Sequence, residues 1–334
     1  RYFKNDSELL VVRTIDSVMV VMQYDQVGKR IARFAGEYSG PNEFFLTHDD
    51  ENAKAEVFFP GSDGLNFTTM DNKGSNKRIY FFNRVPASEV IPFNYLCYTA
   101  HRAIYYDTDS GVDSVVMFIQ RRYPVPAPGL SEADSIAFVN SQLAYWSGLP
   151  VNFRYPEDMV KNADIMMVQD YTSLYETGEM EPDYSANWEI NDDVDVVLNR
   201  DGLLTTINSL YEYTGGAHGS YGSVCNVYDF TTERLVTLDD IFEGDYKKAL
   251  TDIINDKVRE QFEMSSGESF ESKGFFVEEL PLTDNFALYS DHIYFIYNIY
   301  EVAPYVVGSI DVEILYSDLT EYLKKDGPVY RLMY

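Results

Sequence analysis

The chain has 334 residues, of which 45% are hydrophobic and 15% aromatic, so a disordered protein is excluded and two or three domains are expected. Its 54 acidic and 26 basic residues give a formal net charge of −28, which makes nucleic acid or an anionic bilayer a poor partner and a basic protein a favourable one. The two cysteines, Cys97 and Cys225, define no disulfide framework and are expected to be small buried hydrophobic residues.

Residues 1–110 consist of short apolar runs separated by turn-forming residues, without a convincing helical period. The first two runs, 9–15 and 18–22, flank Asp16-Ser17 in the manner of a tight hairpin. Further runs lie at 31–34, 55–59, 65–69 and 79–82. The pattern predicts an all-β barrel or sandwich domain of unknown role, which ends at the polar stretch Asp107–Gly111.

From residue 111 onwards, strand and helix patterns alternate irregularly and predict a smaller α+β partner domain over 111–210. Ser131 has the properties of an N-cap, and the apolar residues after it predict a helix over 131–146. A second helix is predicted to begin at Pro156 and to bury a stripe of methionine and alanine that is typical of a core.

Residues 211–334 predict a C-terminal α+β domain, which a strand over 203–211 enters through a glycine-rich loop. An amphipathic pattern over 245–263 predicts its main helix. Further strands are predicted at 223–230, 286–288, 293–297 and 309–315, and a short helix at 318–324. This mixture favours an antiparallel sheet with helices on one face.

The most informative segment is the loop Tyr213-Thr214-Gly215-Gly216-Ala217-His218-Gly219, which combines backbone freedom, hydroxyl groups and an imidazole. Its glycines allow positive φ or close approach of a partner, and His218 is expected near the tip. The loop has neither the Lys-Ser/Thr pair of a P-loop nor the spacing of the dinucleotide fingerprint. We interpret its seven residues as candidate binding residues. The alternative is a structural turn in which His218 bonds a backbone carbonyl.

A second candidate binding segment is rich in tyrosine. Tyr300, Glu301 and Tyr305 follow the strand predicted at 293–297, and Pro304 among them is expected to help end that strand near a domain edge. Tyrosine offers a large, stiff contact area with a polar tip, which suits recognition of proteins and sugars. The alternative is that these tyrosines are an amphipathic lining of the core.

Sequence signals for metal binding and catalysis are weak. No Gly-x-Ser-x-Gly elbow and no His-Glu-x-x-His helix accompanies His218. The spacing Cys97-x-x-x-His101 could suit zinc, but no second pair follows it, and packing roles are favoured. The acidic runs 47–52 and 191–195 lack EF-hand spacing and are interpreted as solvated turns. The sequence predicts no catalytic residue, no metal site and no cofactor.

Four segments follow one another in a characteristic order, namely Asn199–Leu204, the glycine-histidine loop, Leu238–Phe242 and, after a helix, Tyr297–Gly308. Their order and spacing resemble the domain of unknown function in the extracellular part of RsiV-type anti-sigma factors, which bind lysozyme. The same unit occurs beside the catalytic domain of PdaC-type peptidoglycan deacetylases. Upstream, Arg122-Tyr123-Pro124-Val125 and the helix after it are similar to the partner domain that usually precedes this unit. The resemblance covers about residues 112–334.

The resemblance implies a non-catalytic cell-envelope binding or sensing protein that recognises a lysozyme-type basic protein or peptidoglycan. It also implies an extracytoplasmic location, whether periplasmic, outer-membrane-anchored or secreted. Because the first residue is Arg1, we expect that a leader has been removed, and membrane association is expected only through a lipid anchor ahead of it. The most apolar run, 293–308, is too short to span a bilayer.

An enzyme is the alternative function. A cell-wall glycan hydrolase or deacetylase-associated enzyme would use His218, with Ser209, Ser220 or Ser223 as its nucleophile.

Overall fold

The computed structural model describes residues 2–15, 18–25, 30–40, 43–48, 52–60, 64–85, 90–109, 111–127, 131, 167–175, 177 and 183–333. The chain forms two compact units, Arg1–Val90 and Ile91–Leu332. Within the described part of the chain, no helix is long and apolar enough to cross a membrane.

The first unit is a closed barrel of eight antiparallel strands, in which each strand pairs with its sequence neighbours and β1 closes onto β8. Its strands are β1 Tyr2–Lys4, β2 Glu8–Ile15, β3 Val18–Asp25, β4 Arg30–Gly40, β5 Glu43–His48, β6 Ala53–Phe58, β7 Gly64–Asp71 and β8 Arg78–Arg84. The predicted hairpin is confirmed, because Ile15 pairs with Val18 across residues 16–17, which lie outside the described residues.

The barrel interior is a packed hydrophobic core. Side chains alternate between the core and the outer face, so Phe44 and Leu46 of β5 are buried whereas Phe45 and Thr47 are exposed. An eight-stranded barrel is just wide enough for side chains to fill it. The core consists of Phe3, Leu10, Val12, Met19, Val21, Phe34, Phe44, Leu46, Ala55, Val57, Leu65, Phe67 and Phe82. The all-β N-terminal fold predicted from the sequence is therefore confirmed as a barrel.

The second unit is built on a six-stranded sheet in the order β14-β13-β12-β11-β10-β9. Its strands are β9 Phe93–Thr108, β10 Gly111–Pro126, β11 Trp188–Arg200, β12 Leu203–Tyr213, β13 Ser220–Asp229 and β14 Arg234–Leu235. All neighbouring pairs are antiparallel except β10 and β11, which are parallel and so require a crossover between them.

Helical residues 167–175 (α1) lie on the crossover and cover one face of the sheet. Tyr171 and Tyr175 are buried there in a cluster with Met117, Ile119 and Ile190. The Tyr171 hydroxyl donates a hydrogen bond of 2.9 Å to the Ala186 carbonyl, which ties α1 to the 3-10 turn Tyr184–Ala186. Met167, the last residue of the predicted methionine stripe, lies in α1 and packs against this core. The helix predicted over 131–146 and the start of the one predicted from Pro156 lie outside the described residues.

A three-stranded antiparallel sheet and three helices complete the second unit, as the predicted α+β architecture requires. Helix α3 begins after Asp245 and buries Leu250, Ile254 and Val258 on one face, as its apolar spacing predicts. The elements are α2 Leu238–Ile241, α3 Tyr246–Gln261, β15 Phe286–Leu288, β16 His292–Tyr297, β17 Ile310–Leu315 and α4 Pro328–Met333, with 3-10 turns at Phe270–Lys273, Tyr305–Val307 and Tyr316–Asp318. The short helix predicted at 318–324 is not formed, because a 3-10 turn and β-turns occupy that region.

The structure divides the chain after Val90, whereas the sequence predicted a boundary within the polar stretch 107–111. That stretch joins β9 to β10, which pair along their whole length from Thr108 and Gly111 onwards. Asp, Ser and Gly are typical of hairpin turns as well as of linkers, so composition did not distinguish the two. The finer division at 210/211 stays a prediction, and β12 spans that position.

The acidic run 191–195 was interpreted as a solvated turn, and this was wrong: it lies in the middle of β11. Asp192 forms a buried ion pair with Arg121 of the adjacent strand at 2.5 Å. Burial raises the pKa of Asp192, although the neighbouring Arg121 guanidinium opposes the shift. On the other face, Arg122 contacts Asp193 and Asp195 at 2.5 and 2.7 Å. Each of the three aspartates therefore forms an ion pair with an arginine of β10, and the sequence alone did not indicate these pairs.

The two cysteines have different environments. Cys225 of β13 is buried, as predicted, and burial raises the pKa of its thiol to about 12. Cys97 of β9 is exposed, which corrects the expectation that it is a core residue.

Candidate functional site

The glycine-histidine loop connects β12 to β13. Gly215 and Gly216 have φ of +100° and +95°, a conformation that L-residues rarely adopt. The Tyr213 hydroxyl donates a 3.0 Å hydrogen bond to the Gly216 carbonyl across the turn. A side chain at Gly219 would lie 2.6 Å from the Tyr211 ring. Glycine is therefore favoured at 215 and 216 by the positive φ and at 219 by the close approach of the Tyr211 ring.

His218 is exposed at the tip of the loop, as the sequence predicts. Its Nδ1 lies 2.9 Å from the Gly219 carbonyl oxygen. Its ring stacks on Tyr305, with centroids 4.0 Å apart and an interplanar angle of 26°. The backbone contact expected from the structural alternative is therefore present, and His218 is nevertheless exposed.

Tyr305 brings the two predicted binding segments together. Beyond its stack on His218, its ring lies 5.9 Å from that of Tyr300 and 5.8 Å from that of Tyr221. Tyr300 is 54% exposed and has a φ of +63°, which is unusual for a bulky residue. We call His218, Tyr221, Tyr300 and Tyr305 the aromatic cluster.

Two side chains hold the tyrosine segment on the main sheet. Asn298 accepts a hydrogen bond from the Ser223 amide at 2.6 Å and donates one to the Ser223 carbonyl at 3.0 Å, as a neighbouring strand would. Asn285 donates to the same carbonyl at 2.9 Å and accepts from the Cys225 amide at 2.8 Å. Glu301 is not in the aromatic cluster, since its carboxylate accepts the Asn298 amide at 2.8 Å and closes the local turn.

A cavity of about 890 Å³ lies beside the loop, on the sheet face opposite α1. This volume falls within the range of small-molecule and oligosaccharide sites. The lining combines the loop with residues from β10, β11, β12 and the segment ahead of β11. It comprises Val116, Phe118, Asp183, Ser185, Asn187, Trp188, Glu189, Tyr211, Tyr213, Gly216, Ala217, His218 and Gly219.

Strand pairing determines the floor of this cavity. Glu189 pairs with Phe118 of β10 on one side and with Tyr213 of β12 on the other. Register partners point to the same face, so the Glu189 side chain leaves the sheet with an aromatic residue on each neighbouring strand, at strand spacings of about 4.8 Å. Asn191 donates a 2.7 Å hydrogen bond to the Glu189 carboxylate and orients it.

A second carboxylate, Asp183, lies on the rim. It accepts hydrogen bonds from the hydroxyl and the amide of Ser185 at 2.5 and 2.8 Å. The Ser185 hydroxyl, helped by that amide, lowers the pKa of Asp183, so the group is anionic near neutral pH.

Of the predicted site residues, Tyr213, Gly216, Ala217, His218 and Gly219 line the cavity. Gly215 positions the turn, and Thr214 is exposed beside it. Tyr300 and Tyr305 belong to the aromatic cluster. The sequence interpretation missed Phe118, Trp188, Glu189 and Tyr211, because only the pairing of β10, β11 and β12 shows that they are neighbours. It also missed Asp183, which lies ahead of β11.

Two of the three serines of the enzyme alternative contact each other, since the hydroxyls of Ser209 and Ser223 lie 3.1 Å apart. Among the residues that the structure describes, no group of three His, Cys, Asp or Glu side chains could hold a metal ion.

Comparison with known proteins finds a similarity in the second half of this unit. Residues 239–317 match the model of a protein family of unknown function, DUF3298. This segment of the chain is therefore similar to that family. The matched residues begin after the glycine-histidine loop and include the tyrosine segment.

One relative is the peptidoglycan-N-acetylmuramic acid deacetylase PdaC of Bacillus subtilis (strain 168), which is 27% identical over 142 residues. The match covers 41% of this chain and 30% of PdaC, so it spans less than a third of that protein. The resemblance to PdaC-type proteins is thereby supported, whereas the assignment to RsiV-type ectodomains stays a prediction.

Two solved structures are similar. A DUF3298 family member from Bacteroides fragilis NCTC 9343 superposes with a TM-score of 0.56 at 24% identity, covering 73% of this chain and 98% of that one, and supports the fold. A DUF3298 protein from Pseudomonas aeruginosa PAO1 has a TM-score of 0.45 at 18% identity, covering 72% and 97%.

Proposed function

We propose that this protein recognises cell-wall material without catalysis, and that a peptidoglycan-type glycan binds in the cavity beside the glycine-histidine loop. The observation that carries the proposal is the lining of that cavity, in which aromatic faces alternate with hydrogen-bonding groups. The similarity to a peptidoglycan deacetylase supports the ligand class and an extracytoplasmic location.

The chemistry of the lining suits a saccharide. Sugar rings have an apolar face that packs on aromatic side chains and hydroxyls that need polar partners. Phe118 and Tyr213 supply flat surfaces on the floor, and His218 supplies one at the rim. Glu189 and Asn187 lie among them as hydrogen-bonding groups. The positive φ of two loop glycines lets the backbone turn closely around this opening.

A lysozyme-type basic protein is the second candidate ligand, and the aromatic cluster favours it. Tyr300 is exposed and held at positive φ, which costs about 1–2 kcal/mol for an L-residue and is typical of functional positions. Val306, next to Tyr305, is 88% exposed. Exposed tyrosines on an acidic protein form the kind of surface that a basic partner recognises.

Calorimetry with soluble peptidoglycan fragments tests the proposal. Phe118→Ala should weaken binding by roughly fivefold or more, since packing of a ligand ring on one aromatic side chain is worth about 1 kcal/mol. His218→Ala should also weaken binding while leaving the melting temperature nearly unchanged, because the imidazole is exposed. Val224→Ala is the matched control, since Val224 is an exposed apolar residue of β13 outside the cavity lining.

Failure of the fragments to bind, or binding that Phe118→Ala leaves intact, would refute a glycan site in the cavity. A parallel titration with a basic lysozyme covers the second candidate, and Tyr300→Ala should weaken that complex alone. Mass spectrometry of peptidoglycan after incubation completes the test. Turnover that disappears in His218→Ala would refute non-catalytic recognition and favour the enzyme alternative.

A further inference from the structure

The floor of the cavity has the composition of a site for a positively charged group. Glu189 stands between Phe118 and Tyr213 in register across three strands. A cation gains from a carboxylate and, separately, from the negative faces of aromatic rings within about 6 Å. The same three side chains therefore offer both interactions to one ligand atom.

The carboxylates of the cavity lining also favour a positively charged ligand. Asp183 and Glu189 are its ionisable acids, and the described residues that line the cavity include neither lysine nor arginine. The chain as a whole is strongly acidic. Carboxylates of a cell-wall glycan would be repelled at this position, whereas a protonated amine would be attracted.

We propose that the cavity selects ligands by a protonated amino group, which sits against Glu189 between the rings of Phe118 and Tyr213. This inference rests on the proposed function and names the part of the glycan that the site recognises. Two sources in cell-wall material supply such a group: an amino sugar that has lost its N-acetyl group, and the side-chain amine of a diamino acid in the peptide stem. An N-acetylated sugar lacks the charge and would bind less tightly.

Calorimetry with matched ligands tests the selection. The first pair is a de-N-acetylated chito-oligosaccharide and its fully N-acetylated counterpart of equal length. The second pair is a stem peptide with a free side-chain amine and the same peptide acetylated there. We expect the amine form of at least one pair to bind about tenfold more tightly than its acetylated form. Added salt should reduce that ratio, because the interaction is between charges.

Variants identify the carboxylate. Glu189→Gln removes the negative charge of an exposed strand residue and keeps its size. It should abolish most of the tenfold preference for the amine form of the ligand. Glu212→Gln is the control, since Glu212 has the same charge and lies on β12 beside Tyr213 but points to the opposite face of the sheet. Circular dichroism verifies that both variants are folded.

The outcomes separate this inference from the function on which it rests. Equal or tighter binding of the acetylated forms, or a preference that survives Glu189→Gln, overturns amine selection while glycan recognition stands. Absence of binding by every ligand overturns both. A preference in the sugar pair or in the peptide pair supports the inference and identifies the source of the amine.

Discussion

Alanine substitutions at Gly215, Gly216 and Gly219 should destabilise the second unit for three different reasons. At Gly216 nothing lies within 4 Å of an added Cβ, so only the positive φ is penalised. At Gly215 the φ penalty is joined by a contact of 3.2 Å with the Ser185 carbonyl oxygen. At Gly219 the φ is ordinary, but the Cβ would lie 2.6 Å from the Tyr211 ring.

The expected magnitudes follow from these differences. A positive φ destabilises the folded state by about 1–2 kcal/mol for an L-residue. The lower conformational entropy of the unfolded alanine variant offsets roughly 0.5–1 kcal/mol of this loss. Gly216→Ala should therefore lower the free energy of unfolding by about 1 kcal/mol. Gly215→Ala should cost more, about 1.5–2 kcal/mol, because the carbonyl must also shift. Gly219→Ala should cost roughly 1–3 kcal/mol, the usual penalty of overpacking, and should displace the Tyr211 ring.

Denaturant unfolding followed by tryptophan fluorescence measures this series. Both tryptophans of the chain, Trp146 and Trp188, lie in Ile91–Leu332, so the signal reports the second unit and not the barrel. Ala217→Ser, in the same loop, is the control and should be nearly neutral. The reasoning is refuted if Gly215→Ala and Gly216→Ala are as stable as the wild type, or if Gly216→Ala is the more costly of the two.

Three further predictions concern the scaffold of the site. A fragment of residues 91–333 should unfold cooperatively by fluorescence, whereas a fragment of 112–333 should not, because it loses β9 and leaves the whole edge of β10 unpaired. Asp240→Asn should cost about 0.5–1 kcal/mol at pH 7, because hydrogen bonds from Arg234 lower the pKa of the folded carboxyl. The stabilisation is fully present above the unfolded pKa of about 4 and decreases as the pH falls from there towards the lower folded pKa. The difference in free energy of unfolding between wild type and variant should therefore be smaller in urea melts at pH 2–3 than at pH 7. Arg121→Leu should lower the free energy of unfolding by about 3–5 kcal/mol at pH 7, since it leaves a buried carboxylate on β11 without its guanidinium partner, and a melting temperature close to that of the wild type would contradict this.

Much of the fold could be predicted from the sequence, because the relevant signals are local. Alternating apolar residues and turn-forming separators predicted six of the eight barrel strands, all except β1 and β5, and helical spacing predicted α3. The short helix predicted at 318–324 does not form, also for a local reason, because a few periodic residues do not outweigh the neighbouring turns. After β17, the described part of the chain forms an α-helix at Pro328–Met333 instead.

The candidate site was predicted in part. The loop glycines and His218 were identified because backbone freedom and an imidazole are visible in a single short segment. The Glu301 carboxylate accepts a hydrogen bond within its own turn, and its binding role stays a prediction. Phe118 and Glu189 carried no sequence signal, as each is an ordinary strand residue until its neighbours are known.

The sequence by itself determined the β-rich N-terminal fold, the α+β character of the remainder and the position of the glycine-histidine loop, because periodicity and turn chemistry act within a few residues. Only the tertiary structure decided where the two units divide, which strand pair is parallel and which aspartates of β11 are paired with arginines. It also decided that Glu189 has Phe118 and Tyr213 as its register partners beside the loop. The reason is that strand pairing joins segments distant in sequence, and a shift of one residue in register would turn Glu189 to the other face.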